Sequence, residues 1–160
     1  MRSFLRTIVA GSVLIGLVPS SRLAAQASDQ WVGTWKLNVA QSTFKPGPGP
    51  KSVTVTIEKA GAATFKVTSK SVGADGKPMS TQYTATLDGK DVPVTGSADY
   101  DIVSVKMLDP MTRHMVRKQA GKDVQTVHSV LAKDGKHFTS TTKGVNAKGE
   151  QIESTAVYDK

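Results

Sequence analysis

From Val53 onward, apolar and polar residues alternate with a period of two, and no apolar stripe recurs at helical spacing. In Val53-Thr54-Val55-Thr56-Ile57-Glu58 the aliphatic side chains fall on one side and the threonines and glutamate on the other; Phe65-Lys66-Val67-Thr68 repeats the scheme. Such alternation suits a sheet with one buried and one wet face, and β-branched and aromatic residues suit its pleat. Turn dipeptides punctuate the pattern: Ala60-Gly61, Asp75-Gly76, Asp88-Gly89, Gly96-Ser97, Asp109-Pro110, Gly121-Lys122, Asp134-Gly135 and Lys148-Gly149. Asp-Gly tolerates the positive φ of tight hairpin turns. The turns follow one another too closely for crossover helices, so consecutive strands are expected to pair as antiparallel neighbours. Ten strands are predicted, near residues 32–39, 52–59, 63–72, 79–87, 91–95, 101–108, 112–119, 123–132, 136–143 and 151–159. A flat sheet of that width would leave two long edges open to aggregation, and closure removes them. The expected fold is all-β, an antiparallel up-and-down meander barrel of about 8–10 strands.

Closure turns alternate side chains inward. The inward positions are Phe65, Val67, Tyr83, Ala85, Val103, Val105, Met107, Met115, Phe138 and Tyr158, core residues first and candidate ligand contacts second. Because the whole chain holds only nine aromatic residues, an interior that is partly empty or wet is expected. One strand is ambiguous. In Thr112-Arg113-His114-Met115-Val116-Arg117-Lys118, one face takes Arg113, Met115 and Arg117 and the other His114, Val116 and Lys118, and neither is cleanly apolar. With Met115 inward, Arg113 and Arg117 enter the barrel and can clamp an anionic head group through planar bidentate contacts. With Val116 inward, both are solvated surface charges. The cost of burying an unpaired charge weighs for the outward arrangement, and both arginines are kept as candidate binding residues.

The stretch from Ala40 to Lys51 breaks the rhythm, with Pro and Gly alternating from Pro46 to Pro50. It is expected to be loop or polyproline-like, a plain connector in preference to a flap that tucks Phe44 over one barrel end.

The chain begins with Arg2 and Arg6, an uncharged apolar run from Thr7 to Val18, and a polar stretch ending in Ala25-Gln26-Ala27. That order is a signal peptide over residues 1–27, with the domain over 28–160. The apolar run falls well short of the roughly 20 residues a spanning helix needs, so no stable membrane span is expected once the signal is removed. The protein is expected in the periplasm or secreted. Cleavage removes three arginines and no acid, lowering the formal charge from +8 to +5 and leaving 133 of 160 residues, one domain of ordinary size. Most lysines fall in turns, where charge maintains solubility, and no basic stripe is interleaved with aromatics, so nucleic acid is not an expected partner. There is no cysteine, hence neither a disulfide framework nor a lipid anchor on cysteine. His114, His128 and His137 lack metal-ligand spacing, no nucleophile elbow accompanies Ser129, and no glycine loop cradles phosphate. No metal, cofactor or catalytic residue is expected.

The start of the domain, Trp31-Val32-Gly33-Thr34-Trp35-Lys36-Leu37-Asn38, resembles the Gly-x-Trp first strand of the calycins, the lipocalins and fatty-acid-binding proteins. Its end, Ser154-Thr155-Ala156-Val157-Tyr158-Asp159-Lys160, is similar to the last strand of the intracellular fatty-acid-binding proteins. More closely, the chain resembles small exported bacterial proteins, loosely described as lipocalin-like, that share the GTWKLN start, a Pro-Gly loop, DGK turns and a VYDK end. The resemblance implies a monomeric, non-enzymatic barrel that binds a small hydrophobic or anionic amphipathic molecule. Trp35 would close one end of it. Two departures stand out: the Pro-Gly segment replaces the helical portal of the fatty-acid-binding proteins, and Ala156 stands where their carboxylate-binding Arg-x-Tyr has its arginine, leaving Tyr158. The alternative is an envelope-associated interaction or inhibitor module with a filled barrel and basic loops.

Overall fold

The computed structural model describes residues 29–160; the signal peptide expected over 1–27 lies outside the described residues. Ten strands form one antiparallel sheet: β1 (Gly33–Lys45), β2 (Ser52–Lys59), β3 (Thr64–Val72), β4 (Pro78–Thr86), β5 (Asp88–Pro93), β6 (Ile102–Asp109), β7 (Thr112–Gln119), β8 (Lys122–Leu131), β9 (His137–Val145) and β10 (Gln151–Asp159). Their spatial order is β4-β3-β2-β1-β10-β9-β8-β7-β6-β5. The first and last strands pair in the middle, and the meander curls until its edges β4 and β5 face each other.

That seam departs from the expected neighbour pairing. Asp88-Gly89 serves as the start of β5 with a bulge, not as a hairpin turn, and Leu87 joins β4 to β5 at a corner whose carbonyl accepts from the Met107 amide at 3.1 Å. Among the described residues the two edges rejoin at Gln82 and Thr95, the latter just beyond β5, which exchange both backbone hydrogen bonds at 3.0 Å. Gly96 makes this approach possible: its φ is +80°, and a Cβ there would collide with the Ser80 carbonyl oxygen. The result is a nearly closed barrel.

β1 also runs longer than the pattern implied. Its pairing with β10 lapses between Asn38 and Thr43 and then resumes through Lys45, so residues 40–45, expected as loop, belong to a strand interrupted by a wide irregularity. Two side chains occupy that gap. The Asn38 amide Nδ2 donates to Asp159 and its Oδ1 accepts from the Gln41 amide, while Ser42 Oγ donates to the Asn38 carbonyl and accepts from the Val157 amide. Short polar side chains thereby replace the missing ladder bonds.

The core is concentrated at one end. Trp31, Trp35, Ile57, Phe65, Val67, Leu131 and Phe138 form a buried cluster. Phe138 is its hub, tilted against Trp31 at 5.6 Å, edge-on to Trp35 at 4.9 Å and stacked on Tyr158 at 4.6 Å. Each indole finds an acceptor, Trp35 in the Trp31 carbonyl (2.9 Å) and Trp31 in the Pro110 carbonyl (3.2 Å). Trp35 is fully buried, which at about 25 cal/mol per Å² over a large ring contributes on the order of 4–6 kcal/mol as an upper value. This cluster closes one end of the barrel, as the Gly-x-Trp start led one to expect.

Candidate functional site

Above that floor the barrel is open. A cavity of about 460 Å³ lies between the aromatic cluster and the opposite end, where Phe44, the Pro46–Pro50 segment, Tyr100 and Asn146 form the mouth. The Pro-Gly segment therefore borders the cavity, a correction to its reading as a plain connector: Phe44 packs so tightly on Gly49 that a Cβ there would overlap the ring. The facing side is held by polar contacts. Asp99 Oδ1 accepts from the Ala147 amide at 2.9 Å, tying the β5–β6 loop to the β9–β10 turn, and Ser97 Oγ accepts from the Asp99 and Tyr100 amides.

The orientation of β7 decides the chemistry. Val103, Val105 and Met107 on β6 stand directly opposite Arg117, Met115 and Arg113. Directly opposed residues share a face, so the buried valines carry both arginines inward. The outward arrangement favoured by the cost of charge burial is corrected on this point. The cost is moderated because the guanidinia meet an open cavity and aromatic faces instead of a dry aliphatic core.

Arg113 lies over the Trp31 ring, 3.6 Å from its centroid. Removal from water pulls its pKa down to about 10, with Tyr83 acting in the opposite sense; it is still a cation at neutral pH. Arg117 leans over Tyr100 at 4.7 Å, and its Nη1 donates to Gln125 Oε1 at 2.9 Å. Gln125, only 3% exposed, is locked in turn because its Nε2 donates to the Val145 carbonyl at 3.1 Å. Gly144 lets β9 come this near: its φ is +145°, and a Cβ would strike the Val124 carbonyl oxygen. The Arg117 Nε is sealed from solvent without an acceptor, an omission that costs about 1–3 kcal/mol. Among the described residues, neither arginine has an ion-pair partner.

The rest of the wall is mixed. Tyr83 and Tyr158 both line the cavity, and burial raises both phenol pKa values, so the hydroxyls stay protonated at neutral pH; Arg113 and Arg117 pull the other way on Tyr83, as Arg117 does on Tyr158. Ser129 and Ser140, paired across β8 and β9, share a 2.6 Å hydrogen bond. Met115, Val67, Val127 and Ile152 supply apolar surface between these groups.

Of the residues nominated from alternation, Val67, Tyr83, Arg113, Met115, Arg117, Phe138 and Tyr158 line the cavity. Phe65, Ala85, Val103 and Val105 are buried but do not line it, and Met107 packs against the aromatic cluster. Phe65, Ala85 and Met107 stand at the closed end, where a tapered barrel leaves no room beside its own side chains, whereas Val105 and Val103 stand higher, opposite Met115 and Arg117, and are buried without lining the cavity. Gln125, Ser129, Ser140 and Tyr100 were missed, and Phe44 was named only in the less favoured reading of its segment as a flap. The β8 run Gln125-Thr126-Val127-His128-Ser129-Val130-Leu131 alternates as strictly as any other, but its polar inward residues disguise which face is which.

His128 and His137 are exposed on the outside; half-buried His114 opposes His128 on the same outer face. His137 contacts Asp159 at 2.9 Å and Asp134 at 3.5 Å. Among the described residues no group of three or more His, Cys, Asp or Glu side chains is placed to hold a metal. No helix among them is long and apolar enough to cross a membrane.

No protein-family model matches the chain, and neither does any curated protein. Solved structures do resemble it. A point mutant of the fluorescent protein UnaG aligns at a TM-score of 0.55 and 14% identity over 83% of this chain and 97% of its own. Rv2717c from M. tuberculosis aligns at 0.52 and 14% over 91% of this chain and 99% of its own. The likeness is one of fold. At such identity it supports an antiparallel β-barrel and transfers no ligand, partner or activity to this chain.

Proposed function

We propose that the chain is an exported, non-enzymatic barrel, periplasmic or secreted, that binds a small amphipathic molecule bearing an anionic group. The observation that carries this reading is the pair of inward arginines without a counter-charge, set in a cavity whose wall is otherwise largely apolar or hydroxylic. A stable interior rarely holds cations unpaired unless a ligand supplies the missing charge. The cavity's size supports it too, since about 460 Å³ falls in the range of small-molecule sites. The alternative of an interaction module with a filled barrel has less support, because a filled barrel would leave no such space.

The test compares dodecanoate with dodecanol by calorimetric titration of the purified protein at fixed ionic strength. The acid is expected to bind about tenfold tighter or more, the value of a charge-assisted contact. In a variant carrying both Arg113→Gln and Arg117→Gln the two compounds are expected to bind alike. Equal affinity in the unsubstituted protein would remove the anionic group from the proposal.

A further inference from the structure

We infer that the cavity contains two acid-binding stations at different depths, and that its ligand is a small diacid whose anionic groups are joined by an apolar spacer. This rests on the binding function proposed above and specifies its ligand. Arg113 and Arg117 lie four residues apart on one face of β7, so their Cα atoms are separated by about 13 Å along the strand. Each guanidinium is held toward a different end of the barrel.

Arg113, beside the start of β7, lies over Trp31, and Trp31 donates its indole N–H to the Pro110 carbonyl in the β6–β7 turn. That station belongs to the closed end. Arg117, near the other end of the strand, leans on Tyr100 in the loop at the mouth and is fixed by Gln125, which is itself fixed by the Val145 carbonyl. One head group cannot draw both guanidinia together without breaking one of these arrangements. Between the stations Met115 and Val127, paired across β7 and β8, give the cavity an apolar strip. Tyr83 lines the same cavity.

The charge balance points the same way. Asp99 is the only carboxylate among the described lining residues, and its Oδ1 is engaged by the Ala147 amide at the rim. A monoacid would neutralise one arginine and leave the other unpaired. A diacid of matching length would satisfy both, with its spacer against Met115.

Calorimetry with suberate, sebacate and dodecanedioate against octanoate, decanoate and dodecanoate tests this. One diacid is expected to bind about tenfold tighter or more than the monoacid of its own length. Arg113→Gln and Arg117→Gln should each return it to the monoacid's level, whereas Arg113→Lys and Arg117→Lys should preserve the preference. Circular dichroism establishes that each variant is folded, and the lysine variants carry the test if a glutamine variant is not. Equal affinity for monoacid and diacid at every length overturns the two stations while leaving the binding function standing. Failure of all six acids to bind overturns both.

Discussion

The two halves of the barrel are built from the same strands and are opposite in character. At the closed end, the inward positions of β8, β9 and β10 carry Leu131, Phe138 and Tyr158, and the rings stack to exclude solvent. Toward the mouth, the same three strands turn Gln125, Thr142 and Ser154 inward around open space. Alternation is continuous through both, so the strand pattern does not distinguish them; only the identity of the inward residue does. Stability is concentrated where apolar area is buried, and the polar half is free to carry groups that would be costly in a sealed core.

Truncating the floor is expected to have the largest effect. Trp35→Ala removes a fully buried ring and leaves a cavity beside Phe138, which should cost about 3–5 kcal/mol in equilibrium unfolding by urea. Met115→Ala, a half-buried residue facing the open chamber, should cost less than about 2 kcal/mol, because space already adjoins it. Comparable losses at the two positions would break the division between a structural floor and a functional chamber.

The seam is the next most sensitive region. Gly96→Ala forces a side chain into the Ser80 carbonyl at a φ that L-residues avoid, and should destabilise by about 2 kcal/mol. Hydrogen exchange should accelerate first at the Gln82 and Thr95 amides, whose mutual bonds are the ladder link across the seam among the described residues. Unchanged exchange there would mean that the barrel closes by some other contact.

Much of the floor was legible in the chain, and much of the seam and site was not. Phe65 alternates with Val67 and polar neighbours, and Trp35 belongs to the Gly-x-Trp start, so their burial follows from nearby residues. Gly96-Ser97 resembles any other turn, because its partner Ser80 is sixteen positions away and no local property records the approach. The Gln41 to Lys45 part of β1 was hidden by an irregularity that four polar side-chain bonds sustain. Arg113 and Arg117 were expected to face outward because both faces of β7 are mixed and burying an unpaired charge is costly. Their facing is settled by register against Val103 and Val105, a property of the hairpin and not of the strand.

The smallest expected effect has the opposite sign and sharpens the comparison most. Arg113→Met keeps a long side chain over Trp31 but removes a cation that lacks an ion pair, so the unliganded protein should gain about 1 kcal/mol while losing its preference for acids. The gain should depend on pH in a defined way. Burial depresses the Arg113 pKa to about 10, well below the ordinary guanidinium value, so below pH 10 the guanidinium is charged in both folded and unfolded chains and the full cost of burying it is present. Above about pH 10 the folded chain releases that proton while the unfolded chain, with its ordinary guanidinium, retains it. Because the unfolded state then binds more protons, stability contributed by this group rises with pH. The advantage of Arg113→Met over the unsubstituted protein should therefore be constant up to about pH 10 and shrink above it. A pH-independent gap in paired urea titrations would show that Arg113 is not held as a strained interior cation, and the chamber's charge would then contribute nothing to the contrast with the floor.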